Sequence, residues 1–212
     1  MSSVFDKLNQ KYIKIGLNKK PSLFAEWAVS YFPKSGNMLE LGTGPGQDGV
    51  FFAQKGYDVL ATDIADTALN NAEKNIRPDL KGRLSVQKLD TSKPFWFKDN
   101  SFDIVYAHLS VHYFDARITQ QVFDEMYRVL KTGGVVAVLC NSTSDPEHDT
   151  GKKLEDDYFE LEDGMRKRYF DIDSMKTFSH WFEPIVLDNQ GGSYKDYVKG
   201  VTNLIRFVGR KK

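Results

Sequence analysis

The stretch Glu40-Leu41-Gly42-Thr43-Gly44-Pro45-Gly46-Gln47-Asp48-Gly49 decides how the rest of the chain is read. Four glycines fall within eight residues. A short apolar strand, Met38-Leu39-Glu40-Leu41, leads into them, and a helical run, Gln47 to Lys55, leads away and stops at Gly56. Glycine permits the positive φ of a tight strand-to-helix turn and lets a ligand approach the backbone. The helix then offers its free N–H groups at the same place. Read from Gly44, the stretch fits G-x-G-x-x-G. Read from Glu40, it fits acidic-x-G-x-G-x-G. The strand ends at Leu41, so the turn begins at Gly42 and the first pattern starts two residues late. Gly49 then lies inside the helix, where its expected role is close packing.

Outward from this loop, strands and helices alternate. Asp58 to Thr62 reads as an apolar strand ending at Asp63, and Asp66 to Ile76 as a helix that stops before Pro78. Leu84 to Lys88 and Phe102 to Ala107 read as strands. Arg117 to Leu130 reads as a long amphipathic helix, followed by Gly133-Gly134. Val135 to Cys140 is a continuous apolar run, as expected of a strand buried on both faces. The expected fold is α/β: a Rossmann-like, doubly wound sheet with helices on both faces and ligands at the strand C-termini. Before it, residues 2 to 15 and 21 to 32 read as two cap helices, with Pro21 in a first turn. After it, Asp163-Gly164 predicts a two-residue hairpin turn that sets Glu160 opposite Lys167 and Tyr158 opposite Tyr169. Phe159, Leu161, Arg166 and Arg168 would share the other face. Ser174 to Trp181 reads as a helix, and Pro184 to Leu187 and Leu204 to Val208 as final strands. The whole of residues 1–212 is expected to form one domain, with residues 1–35 as an N-terminal cap and residues 142–173 as an inserted hairpin lid on the substrate side.

The acids around the glycine loop separate the ligands. Asp63, at the end of the second strand, is placed to accept from both ribose hydroxyls, with Ile64 beside it. Its competing role, capping the next helix, is better filled by Asp66 or Thr67. Asp90 and Thr91 follow the third strand, where a carboxylate can accept from an adenine amine. Glu40 is inside the first strand, where a buried carboxylate costs free energy unless it meets a cation or donors. Acids in these places, with no Arg or Lys near the glycines, disfavour a pyrophosphate and favour a cationic ligand. S-adenosylmethionine carries an ammonium and a sulfonium; NAD carries two phosphates.

On these residues the chain resembles the class I S-adenosylmethionine-dependent methyltransferases. Glu40 through Gly46 is similar to their glycine motif, Asp63 to their ribose acid, and Asp90-Thr91 to their adenine-side pair. Asn100-Ser101-Phe102-Asp103-Ile104-Val105, His108 through Phe114, and Arg128-Val129-Leu130-Lys131-Thr132-Gly133-Gly134 resemble later segments in the same order. Thr43 departs mildly from the cysteine common there. The resemblance implies S-adenosylmethionine as cofactor, bound by Glu40, Gly42, Thr43, Gly44, Gly46, Asp63, Ile64, Asp90, Thr91 and His108, the last through its backbone carbonyl. It also implies a seventh, antiparallel strand at Leu204 to Val208. The last third is loosely similar to tellurite-resistance and thiopurine-type methyltransferases.

The base candidates for methyl transfer are His108 and His112. Substrate candidates are Tyr12, Trp27, His112, Asn141, Arg166, Arg168, Tyr169 and Tyr194. Arg166 and Arg168 would suit an anion bidentately, or else form structural ion pairs. Alternative readings are an NAD(P)-dependent oxidoreductase and a non-catalytic S-adenosylmethionine-binding protein. Lys+Arg and Asp+Glu both count 29, so formal charge is zero and nucleic acid or an anionic membrane is not expected as partner. Gly209-Arg210-Lys211-Lys212 reads as a short solvated tail. A small-molecule acceptor is expected, in a monomer or homodimer. The four histidines lack ligand spacing, so no metal site is expected. A single cysteine, Cys140, and no leader or spanning segment fit a cytoplasmic protein.

Overall fold

The computed structural model describes residues 2–14, 20–193 and 202–212. Strand β1 (Asn37–Leu41) lies at its centre, hydrogen-bonded in parallel to β2 (Asp58–Asp63) on one side and β4 (Phe102–His108) on the other. β3 (Leu84–Lys88) extends the sheet beyond β2, and β5 (Leu130–Cys140) lies beyond β4. Two long strands, β9 (Phe182–Gly191) and β10 (Leu204–Lys211), complete the order β3-β2-β1-β4-β5-β10-β9. Among the described residues of this sheet only β10 runs opposite to the other strands, so the expected antiparallel seventh strand is present, longer than Leu204 to Val208.

The apolar run of β5 divides by the two-residue period of a strand. Val136, Val138 and Cys140 pack with α5 (Ala116–Val129) and α6 (Ile172–Phe178) through Val122, Phe123, Met126 and Met175. Val135, Ala137 and Leu139 pack with α2 (Leu23–Ala28) and α3 (Gln47–Gln54) through Phe24, Ala28 and Phe52. Both faces are therefore covered by helices, which is why that segment carries no alternation of polar residues.

Several local expectations need correction. Pro21 precedes α2 rather than opening it. Ser22 is the N-cap and accepts from Ala25 N–H at 3.0 Å, and the helix gives way to a 3-10 turn at Val29–Tyr31. Neither Asp66 nor Thr67 caps α4 (Asp66–Asn75); its N-cap is Ala65, and Asp6 of α1 (Ser2–Lys14) accepts from the Thr67 N–H at 3.0 Å instead. A cap supplied by another helix leaves no local sequence signature.

The two-residue turn at Asp163-Gly164 also fails. β6 (Lys152–Glu155), β7 (Tyr158–Glu160) and β8 (Arg166–Arg168) form a separate three-stranded sheet. Tyr158 faces Arg168, Phe159 faces Lys167 and Glu160 faces Arg166. Asp163 Oδ1 accepts from Met165 N–H, and Leu161 N–H donates to Met165 C=O at 2.8 Å, which closes a longer loop. The one-residue slip puts Tyr158 and Glu160 on the same face as Arg166 and Arg168. The basic C-terminus is not a solvated tail either. Lys211 belongs to β10, is 9% exposed, and its Nζ donates to Leu130 C=O at 2.8 Å.

Candidate functional site

The sheet order reverses between β1 and β4, and the cleft opens at their C-terminal ends. Its floor is the glycine loop. Gly42, Gly44 and Gly46 all have positive φ, at 70°, 54° and 88°. At Gly42 a Cβ would stand 2.3 Å from Ser110 Cβ, and Ser110 Oγ is itself bound to Leu41 C=O at 2.6 Å. The loop is pinned from α4, where Asn71 and Asn75 Nδ2 donate to Pro45 C=O at 2.8 and 3.0 Å. Gly49 is within α3, and a Cβ there would meet Glu40 Oε2 at 2.7 Å. That contact fits the packing role expected of it.

Of the expected cofactor residues, Gly42, Thr43, Gly44, Asp63, Ile64, Asp90, Thr91 and His108 line the cleft. Gly46 N-caps α3 against Ala72 just behind it. Asp63 is held by two backbone donors, Gly44 N–H to Oδ2 and Ala65 N–H to Oδ1, both at 2.9 Å. Burial pushes its carboxyl up, and the N–H groups of Ala65, Gly44 and Ile64 pull it back. A carboxylate has about four acceptor sites, so room remains for a ligand hydroxyl. Asp90 is oriented by Ser92, whose N–H and Oγ both bind Oδ1.

Glu40 is placed differently. It is 2% exposed beneath the loop, accepting from Thr43 Oγ1 at 2.8 Å, and is not among the residues lining the cleft. Burial and then the nearby Asp48 push its carboxyl up to about 8, against the Thr43 hydrogen bond. It therefore carries a proton at neutral pH in this state.

The base candidates separate as well. His108 lines the cleft at the end of β4, with Nδ1 4.0 Å from Asp48 Oδ2. Asp48 is buried and accepts from Ser22 N–H, Ser22 Oγ and Tyr106 OH, at 2.6, 2.6 and 2.7 Å. His112 is 2% exposed, is not in the cleft lining, and is pulled down to about 3 by burial, then by Lys167 and His108.

None of the described substrate candidates lines the cleft. Trp27 stacks on the Arg206 guanidinium at 4.1 Å, and Arg206 clamps Asp188. Asn141 is buried, its carbonyl bound by Phe170 N–H. Arg168 is 5% exposed, bound to Glu155, Phe114 C=O and Asp156 C=O. Arg166 pairs with Glu160 on the surface, and Tyr169 is buried beside His148. The side chain of Tyr12, and Tyr194 altogether, lie outside the described residues. Sequence reading missed Phe5, Leu8 and Asn9 on α1, and Ser110, Tyr113 and Phe114 after β4. The α1 set had a signal: those positions share one helical face with Tyr12.

The carboxylates of the lining are acceptors, and its hydroxyls come from Ser22, Thr43, Thr91, Ser110, Tyr113 and Ser193. Among the described residues, Asp63 and Asp90 are the carboxylates of the cleft, Asn9 Oδ1 and Gln47 Oε1 are buried amide oxygens without a hydrogen-bond partner, and no Lys or Arg lines it. That set suits a ligand rich in donors and positive charge, as S-adenosylmethionine is, and not a pyrophosphate. Among the described residues no His/Cys/Asp/Glu cluster could hold a metal, and no helix is long and apolar enough to cross a membrane.

Comparison with known proteins agrees. Residues 38–134 match a family model described as a methyltransferase domain. An uncharacterized methyltransferase of Synechocystis is 31% identical over 102 residues, covering 48% of this chain and 45% of that protein. The chain thus spans about half the length of that curated relative. Among solved structures, a methyltransferase of Methanosarcina mazei aligns with a TM-score of 0.73 at 21% identity, covering 87% of this chain and 96% of that one. The 1,6-didemethyltoxoflavin-N1-methyltransferase of Burkholderia thailandensis, with its substrate and S-adenosylhomocysteine bound, aligns at 0.69 and 13% identity, covering 89% and 76%. Residues 38–134 thus match a methyltransferase domain, and the sheet order is that of a fold shared with solved S-adenosylmethionine-dependent methyltransferases.

Proposed function

We propose that this chain transfers the methyl group of S-adenosylmethionine to an uncharged small molecule with an apolar body. The observation that carries the reading is the composition of the cleft. Beyond the acceptor-rich floor, its wall is Phe5, Leu8, Leu109, Tyr113 and Phe114, and no cation lines it among the described residues. An anionic acceptor would enter without a partner for its charge. Arg166 and Arg168, the residues a sequence reading would assign to an anion, are engaged by Glu160 and Glu155. The didemethyltoxoflavin enzyme supports a small-molecule acceptor in this fold.

When bound, S-adenosylmethionine supplies a methyl group on a sulfonium, open to in-line displacement. Asp63 and Asp90 would hold its ribose and adenine sides, and the glycine loop would take its backbone contacts. The apolar wall aligns the acceptor and excludes water, and alignment of this kind lowers the barrier without further chemistry. For a protonated acceptor, His108 takes the proton, because it lines the cleft while His112 is buried and neutral.

The test is S-adenosylhomocysteine release from methyl-labelled S-adenosylmethionine, over a panel of aromatic hydroxyls, heteroaromatic amines, thiols, carboxylates and phosphate esters. Turnover is expected with uncharged aromatic members. His108→Gln should lower kcat while leaving S-adenosylhomocysteine affinity within about twofold. Turnover confined to carboxylates or phosphate esters would refute the reading.

A further inference from the structure

Asn9 lies on the face of α1 that covers the cleft, one turn after Phe5. Its side chain is almost wholly enclosed, at 5% exposure. Nδ2 donates to Phe5 C=O at 3.0 Å. That bond fixes which end of the amide is which, since only nitrogen can donate to a carbonyl. Oδ1 is left buried, with no hydrogen-bond partner among the described residues. It lies against the glycine loop, 3.4 Å from where a Cβ on Gly44 would be.

The helix that carries Asn9 is held in place one turn earlier. Asp6 Oδ1 accepts from Thr67 N–H at 3.0 Å and from Thr67 Oγ1 at 2.7 Å, tying α1 to the start of α4. The Phe5 ring meets Tyr113 edge-on at 4.9 Å, tying α1 to the segment after β4. α1 therefore bridges the two walls of the cleft, and Asn9 is the polar group it presents between them.

A buried acceptor without a donor is costly to keep. The described residues supply Asn9 Oδ1 with none. The cofactor brings donors of its own, in its ammonium and ribose hydroxyls. We propose that Asn9 Oδ1 accepts a hydrogen bond from bound S-adenosylmethionine, so that α1 is a clamp whose closure includes a direct bond to the cofactor. The proposal rests on the cofactor reading above.

Calorimetry on the full chain tests this, with S-adenosylhomocysteine and with 5′-methylthioadenosine, which keeps the ribose and lacks the amino-acid end. Asn9→Leu removes the acceptor at nearly constant size, and Asn9→Asp keeps it. Asn9→Leu should weaken S-adenosylhomocysteine binding about tenfold, and Asn9→Asp should retain most of the affinity. A loss for S-adenosylhomocysteine alone assigns the donor to the ammonium. An equal loss for both ligands assigns it to the ribose. Either supports the clamp. Hydrogen exchange gives a second readout: S-adenosylhomocysteine should slow exchange of α1 amides in the wild type and much less in Asn9→Leu. Unchanged affinity in Asn9→Leu would overturn the proposal. So would equal losses in Asn9→Leu and Asn9→Asp with α1 already unprotected before ligand is added, since packing and not the acceptor would then be responsible. A wild type that binds neither ligand would instead refute the cofactor reading itself.

Discussion

The glycine-loop half of the molecule and the small β6-β7-β8 sheet both carry charged residues that look functional in the sequence, yet they use them in opposite ways. Around the loop, Asp63 and Asp90 face an open cleft with lone pairs to spare. On the small sheet, Arg168 is sandwiched between the rings of Tyr158 and Phe178 and bound by Glu155. Lys167 is bound by Glu147, and Arg166 by Glu160. The acids lie at strand C-termini, where a parallel sheet leaves its crevice. The arginines lie in an antiparallel sheet, where opposite charges across strands neutralise each other. A charged residue's place in the topology, more than its type, separates ligand binding from internal support.

Gly42→Ala should produce the largest effect on this contrast. The added Cβ meets Ser110, and the positive φ strains any L side chain by ~1–3 kcal/mol. S-adenosylhomocysteine binding should become undetectable by calorimetry, with a lowered Tm; near-wild-type affinity would show that the loop does not cradle the ligand. Arg168→Met should reverse the pattern. It strands the carbonyls of Phe114 and Asp156 and should lower unfolding free energy by about 1–3 kcal/mol in urea denaturation, with cofactor affinity unchanged. A weaker cofactor complex at unchanged stability would return Arg168 to the site. Arg166→Met, at the surface, should change neither quantity measurably.

Glu40→Gln isolates electrostatics at constant shape. Glu40 has a folded-state pKa near 8, above its unfolded value of about 4.5. The folded chain then keeps a proton that the unfolded chain loses, so this group's contribution is full below about pH 4.5 and falls as pH rises toward about 8. The slope is on the order of 1 kcal/mol per pH unit. Glutamine has no proton to lose, so the variant's stability should decline less with pH over that window. Parallel Tm curves for variant and wild type would show that Glu40 is ionised already. If the cofactor's positive charge also draws on Glu40, the variant binds S-adenosylhomocysteine less tightly while being the more stable protein.

Much of this was legible in the sequence, and for identifiable reasons. The strand-loop-helix at Glu40 to Gly49 and the unbroken run Val135 to Cys140 fix a parallel, two-sided sheet because local pattern and burial coincide there. Asp63, Asp90 and His108 could be expected at the cleft they line because each ends a strand or lies within two residues of its end. What was missed depends on contacts distant in sequence. Asp48, in the first turn of α3, gathers Ser22 from the start of α2 and Tyr106 and His108 from β4. Asp6 caps a helix sixty-one residues away. Asn9 becomes notable only once its partner is seen to be missing. The hairpin register turned on one Asx bond at Asp163, which outweighed a strong dipeptide signal.

The most direct test of a cleft built from acceptors without cations is a pair of calorimetric titrations on the unmodified chain, one with S-adenosylhomocysteine and one with NADH. The expected result is one-to-one binding of S-adenosylhomocysteine, weakened about 10- to 100-fold by Asp63→Ala as hydrogen bonds to a charged group are lost, and no heat from NADH. Binding of NADH with none of S-adenosylhomocysteine would contradict it.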